Sequence, residues 1–268
     1  MMELIQITND PALARRCATL GSMRLMVDLE RLGKAQRQAG RNTFISTHTL
    51  ADVARVRTAA PQLPLMVRLN PLHPGTASEV DAVLEAGADL LMLPMFDDAQ
   101  TLAAFARLVR GRLPIVPLLE TAGALRTLDD WVGTPGLHEI FVGLNDLHVS
   151  LGQHFMFEPL AAGLVDEVAR AARAHGLRFG FGGIAQIDGG LLPGHDVLAE
   201  HLRLGSGAVI LSRTFASSEQ GLEEGVAALR RAESVLAGRS PEQVEADRVR
   251  IARRIHSIAS DARARPAA

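Results

Sequence analysis

The chain has one cysteine, Cys17, in 268 residues, and one lysine, Lys34, among 28 basic residues; the rest are arginine. A single thiol rules out an internal disulfide framework and suits a reducing cytoplasm. The lone lysine confines any Schiff-base chemistry to Lys34, because an imine needs a desolvated amine at the reacting centre. Lys34 lies four residues past Glu30 in what reads as a polar loop. A phosphate-cradling Gly-Lys-Ser/Thr loop is absent, since Lys34 is followed by Ala35. A net charge of −2 gives no general attraction to nucleic acid or to an anionic membrane. No apolar run approaches the roughly 20 residues of a membrane span. The first ten residues lack the basic start and apolar stretch of a signal peptide, so a cytoplasmic location is expected.

What the chain does have is alternation. Short apolar runs at 4–8, 24–29, 65–69, 90–95, 115–119, 140–142, 178–181 and 208–211 read as strands. Amphipathic stretches such as 51–58, 79–86, 99–109 and 160–174 read as the connecting helices. Eight strands with helical connections predict an α/β fold, a (β/α)8 TIM barrel. Phe44–Ile45 reads as the approach to a helix capped by Ser46 or Thr47. A doubly wound open sheet ranks second, because no Gly-x-Gly-x-x-Gly follows the first strand. A barrel over about residues 3–215 is expected to be followed by C-terminal helices over about 216–262, all in one domain. Ser240, Pro241 and Gln243 signal the start of the last helix, whose Val244, Ile251, Ile255 and Ile258 share one face. That stripe is expected to pack on its own barrel or on a second copy in a homo-oligomer.

Four strand ends carry polar groups where a barrel keeps its chemistry. The second ends Val27-Asp28-Leu29-Glu30, the third Val67-Arg68-Leu69-Asn70, the fifth reaches Glu120, and the sixth leads through Gly143-Leu144-Asn145 to Asp146. A carboxylate buried there is costly unless it is paired or holds a metal. Oxygen donors suit Mg²⁺ or Mn²⁺, with other divalent ions as alternatives, completed by water and substrate. Arg68 offers a planar fork for a carboxylate or phosphate. A substrate with a carboxylate beside a keto oxygen would engage the metal and Arg68 together.

At these residues the chain resembles the HpcH/HpaI aldolase and citrate lyase β-subunit family. The resemblance runs from about residue 22 to 215 and rests on five motifs in order: residues 27–30, 67–70, 86–95, 118–121 and 141–147. It implies that Glu120 and Asp146 are metal ligands and that Arg68 contacts the substrate's carboxylate or keto oxygen. It also implies that the backbone of Gly143, Leu144 and Asn145 lines a pyruvate pocket. The activity implied is cleavage or formation of a 4-hydroxy-2-oxo acid through a pyruvate enolate. The partners would be a 2-oxo acid (pyruvate or oxaloacetate-like) and an aldehyde or other carbonyl acceptor, with no nucleic acid and no membrane. A citryl- or malyl-CoA-type thioester lyase and a non-catalytic ligand-binding barrel are the alternatives.

The class II aldolases of that family carry a histidine after the Asp-x-Glu strand end, and this chain has Arg31 there. His48 is the substitute expected as acid or base. Asp28 and Glu30 are expected as support, and Ser212 with Arg213 as a contact for a phosphate or the far end of an acceptor. Gly182 and Gly183 read as backbone that an anion could approach. His148, His154, Phe155 and Phe157 read as a loop near the site, Glu85 as a surface acid, and Trp131 as packing.

Overall fold

Runs such as Leu65–Arg68 and Leu90–Leu93 are apolar at nearly every position, as strands covered on both faces must be. The computed structural model describes residues 1–34, 46–212, 215 and 221–264. Its strands are β1 (Glu3–Ile7), β2 (Met23–Asp28), β3 (Leu65–Arg68), β4 (Leu90–Leu93), β5 (Ile115–Leu119), β6 (Glu139–Val142), β7 (Arg178–Ile184) and β8 (Ala208–Leu211). All neighbours pair parallel in chain order, and β8 pairs back onto β1 to close the barrel. The eight strands therefore sit where the apolar runs placed them, with no end shifted by more than three residues. Phe44 and Ile45 lie outside the described residues.

Alternate side chains divide the core into two layers, as the two-residue strand period requires. Ile5, Met26, Met66, Met92, Val116, Leu118 and Phe141 fill the barrel interior. Leu4, Leu25, Val27, Val67 and Leu91 face the surrounding helices. At the N-terminal end the interior is closed by charge. The Arg24 guanidinium is buried, donates to Glu139 Oε2 at 2.8 Å and pairs with Glu3, which also takes Arg178 Nη2 at 3.1 Å. The floor is thus ionic and paired, and the open end is the C-terminal mouth.

The connecting helices are α1 (Pro11–Cys17), α2 (Leu50–Ala59), α3 (Thr76–Glu85), α4 (Ala99–Val109), α5 (Ala122–Arg126), α6 (Leu128–Trp131), α7 (Leu144–Ser150), α8 (Glu158–Ala161), α9 (Leu164–Ala174) and α10 (Gly194–Leu204). Two expectations need correction. The helix cap before α2 is Thr49, because the Asp52 carboxylate reaches back to its N–H at 2.6 Å and its hydroxyl at 2.7 Å. The single helix expected over 160–174 is two, broken where Gly163 takes φ +77, a conformation that favours glycine.

Beyond β8, α11 (Gly221–Ala237) and α12 (Pro241–Ala264) form the expected C-terminal helices. Ser240 and Gln243 make the reciprocal cap that opens α12. Ile251, Ile255 and Ala259 of α12 are buried against α8 and α10, so its apolar stripe packs on the chain's own barrel. Trp131 is packing as expected: fully buried, edge-on to Phe96 and bonded through Nε1 to Ala124 O. Glu85 is an exposed acid at the end of α3. No helix among the described residues is long and apolar enough to cross a membrane.

Candidate active site

Each strand of a parallel barrel delivers its next residue to the same rim, and here those residues enclose a cavity of about 470 Å³. Its depth is apolar, with Met92, Leu118, Phe141 and Ile210 continuing the barrel interior. Its wall is charged. Asp28 comes from the end of β2, Arg68 from β3, Glu120 from the residue after β5, and Asp146 from the first turn of α7.

Glu120 is buried, and the Met95 N–H donates to its Oε1 at 3.0 Å. Met95 holds that amide in place at φ +55, a left-handed conformation uncommon for a side chain of its size. Burial, then the nearby charges of Glu30 and Asp146, push the Glu120 carboxyl up to about 8, against the opposing pull of Arg68. Gly143 makes the approach possible: a Cβ there would come within 2.9 Å of both Glu120 Cβ and Oε2.

Asp28 has the opposite fate. Burial would raise its carboxyl, but Arg68 outweighs burial and, with Lys34 and the Glu30 N–H, holds it at about 2. Arg68 grips Asp28 with two donors, Nε to Oδ1 at 2.8 Å and Nη2 to Oδ2 at 2.7 Å. A guanidinium has five donors, so the Nη1 edge and one Nη2 hydrogen are left over from that grip. Arg68 lines the cavity, and this edge is what it can offer a bound carboxylate.

His48 lines the same cavity, as the sequence suggested, and its tautomer is fixed by a backbone amide. The Asp28 N–H donates to His48 Nδ1 at 3.1 Å, so Nδ1 is an acceptor and the ring proton lies on Nε2. Burial, assisted by Arg68 and Arg31, lowers the His48 pKa, while Asp28 and Asp52 oppose it. Protonating Nδ1 would set two N–H groups against each other. His48 is therefore built to donate a hydrogen bond, and not to accept a proton at Nδ1.

Lys34 corrects the reading of a polar loop. It is buried on the cavity wall, with Nζ 3.3 Å from Asp28 Oδ2 and 3.2 Å from Glu30 Oε2. Two carboxylates pair with its Nζ, whereas imine chemistry needs an amine free to attack a carbonyl. Borohydride added to the protein with pyruvate is accordingly expected to leave Lys34 unmodified, as read by peptide mass; a reduced pyruvyl adduct on Lys34 would reverse this assignment.

Asp28 and Glu30 pair with Arg68 and Lys34, whereas Asp146 and Glu120, once a cation displaced the Glu120 proton, would together offer a divalent ion two carboxylates. Among the described residues no group of three His, Cys, Asp or Glu side chains forms a cage for a metal. Two carboxylates facing a cavity are instead the donor set of Mg²⁺ or Mn²⁺, which take one or two protein carboxylates and leave positions for water and substrate. Glu120 and Asp146 fit that requirement.

Gly143, Leu144, Asn145, Gly182, Gly183 and Ser212 also border the cavity, as expected from the sequence. Arg213 lies outside the described residues. The loop after Asp146 contributes differently from the expectation: His148 turns its ring to Leu144 O, and Phe155 and Phe157 pack on each other, while Met156 between them reaches the cavity. His154 does not line it. Thr8 and Asn9 were missed, although they follow β1 by the same strand-end rule that found the others.

Residues 6–181 match the HpcH/HpaI aldolase/citrate lyase family. A 102-residue stretch, 37% of this chain, is 36% identical to the (3S)-malyl-CoA thioesterase of Cereibacter sphaeroides and covers 35% of that protein, so the match spans about a third of its length. The structure of an HpcH/HpaI aldolase from Desulfitobacterium hafniense DCB-2 superposes with a TM-score of 0.64 at 17% identity, over 90% of this chain and 95% of that one. That of protein CitE from Mycobacterium tuberculosis, in complex with magnesium, acetoacetate and coenzyme A, gives 0.58 at 15% identity, over 97% and 88%. At such identities the structures are similar in fold.

Proposed function

The chain belongs to the HpcH/HpaI aldolase/citrate lyase family, and on that premise we propose that it makes or breaks a carbon–carbon bond beside a 2-oxo acid such as pyruvate or an oxaloacetate-like acid. The observation that carries this reading is the mouth itself: two carboxylates, Glu120 and Asp146, on the wall of one cavity with Arg68.

Glu120 and Asp146 would hold Mg²⁺ or Mn²⁺, and such an ion, when bound, supplies Lewis acidity to a keto oxygen. The rest falls to the chain's own groups. Arg68 orients the 2-oxo acid through its carboxylate, and the backbone of Gly143 to Asn145 borders the bound acid. Met92, Leu118 and Phe141 keep water from the carbon that gains or loses a bond. His48 Nε2–H donates to an oxygen of the aldehyde or other carbonyl acceptor, which places it as a polarising donor. The same reading has the enzyme acting as a homo-oligomer in the cytoplasm, where the lone buried thiol of Cys17 stays reduced.

A second reading, a lyase or thioesterase for a citryl- or malyl-CoA-type thioester, is favoured by one specific observation, the local match to malyl-CoA thioesterase. Calorimetry separates the two. With Mg²⁺ present, pyruvate is expected to bind and acyl-CoA to give no heat; acyl-CoA binding without pyruvate binding would select the thioester reading.

A further inference from the structure

We infer that Lys34 is a positioning residue: its ammonium bridges Asp28 and Glu30 and so holds Arg68 in the orientation that receives the substrate carboxylate. The inference rests on the reading of Arg68 as that carboxylate's partner.

The four side chains share their ion-pair contacts. Asp28 Oδ2 accepts from Arg68 Nη2 at 2.7 Å and from Lys34 Nζ at 3.3 Å. Glu30 Oε2 lies 3.2 Å from Lys34 Nζ and 3.5 Å from Arg68 Nε. Both cations thus share both carboxylates, and all four side chains are buried or nearly so. In a low-dielectric site each charge acts strongly on its neighbours. Removing the ammonium takes from Asp28 Oδ2 and Glu30 Oε2 a partner that both share with Arg68, so the guanidinium is drawn off its present line on Asp28 and the edge it offers the cavity turns with it.

The backbone is arranged to keep Lys34 in register with Arg68. Asn70, two residues beyond Arg68, accepts the N–H groups of Arg31 at 2.8 Å and Leu32 at 3.0 Å on its Oδ1. Its own Nδ2 is fixed by Glu79 Oε1 at 2.7 Å. Arg31 Nη2 donates to His48 O at 2.8 Å. The segment that carries Lys34 is therefore tied to the end of β3, the strand that carries Arg68.

The test reads Arg68 directly. The ¹⁵N resonance of Arg68 Nε–H, identified by its loss in Arg68→Met, is followed in the full-length protein, in Lys34→Met and in Lys34→Arg. It is expected to move in Lys34→Met and to return toward its original position in Lys34→Arg. An unmoved resonance in Lys34→Met overturns the inference. The affinity for pyruvate in the presence of Mg²⁺ is expected to fall about tenfold in Lys34→Met and to be largely recovered in Lys34→Arg. Should the unaltered protein bind pyruvate and Lys34→Met bind it equally well, Lys34 does not position Arg68. Should the unaltered protein bind no 2-oxo acid, the functional reading of the cavity fails instead, and the Arg68 resonance alone decides the role of Lys34.

Discussion

Glu120→Gln is expected to lower pyruvate release from a 4-hydroxy-2-oxo acid by about 10³-fold and, at the same time, to make the metal-free protein more stable. The loss follows from removing one of two carboxylates that would hold the divalent ion, whose Lewis acidity supplies several kcal/mol, and about 4 kcal/mol is a factor of 10³. The gain follows from the cost of Glu120 itself. Its carboxyl is pushed from 4.5 up to about 8 by burial and by Glu30 and Asp146. The folded protein keeps the proton that the unfolded chain gives up, so the stability attached to that proton is full below about pH 4.5 and gone above about pH 8. Glutamine carries no charge and escapes this loss. At pH 7.5 the variant should gain of order 3 kcal/mol over the metal-free parent, roughly 10 °C in Tm for a chain of this size. At pH 5 the gain should nearly vanish. Thermal melts at both pH values, in chelator, check the sign. A variant less stable than the parent at pH 7.5 would mean that Glu120 is paired, not poised for a cation.

Arg68→Met and Arg68→Lys should both weaken 2-oxo acid binding by about 10²-fold, with KM rising more than kcat falls. Each loses the planar fork, and a truncated charge-assisted pair in a buried site costs about 2–5 kcal/mol. The two should separate in stability. Methionine strips buried Asp28 of its two-donor guanidinium partner, and a buried carboxylate that loses such a partner is strongly destabilising. Lysine restores the charge but cannot grip Oδ1 and Oδ2 of Asp28 together. Arg68→Met is therefore expected to melt well below Arg68→Lys, while both fail alike in binding. Equal melting temperatures would show that the Asp28 grip contributes shape alone.

The barrel was legible because strands buried on both faces read as unbroken apolar runs and because polar residues placed just past them have one destination, the mouth. Asp28, Arg68, Glu120, Asp146 and Ser212 were found by that rule, and Thr8 and Asn9 obey it equally. Lys34 was hidden because its four-residue spacing from Glu30 says nothing about the Asp28 and Arg68 charges that draw it inward. The orientation of His48 was equally invisible. It depends on one hydrogen bond from a backbone amide 20 residues away, which composition and period cannot encode. The break at Gly163 was missed for a simpler reason: apolar periodicity continues across it, so α8 and α9 look like one helix.

The central claim is that Glu120 and Asp146 hold a divalent ion that acts on a 2-oxo acid held by Arg68. Pyruvate release from 4-hydroxy-2-oxo acids, measured before and after chelation and again on adding back Mg²⁺ or Mn²⁺, tests it most directly. Release is expected to stop with chelator, to return with the ion in the parent protein, and to stay about 10³-fold lower in Glu120→Gln whether or not the ion is added. Cleavage that continues unchanged both in chelator and in Glu120→Gln would contradict the claim.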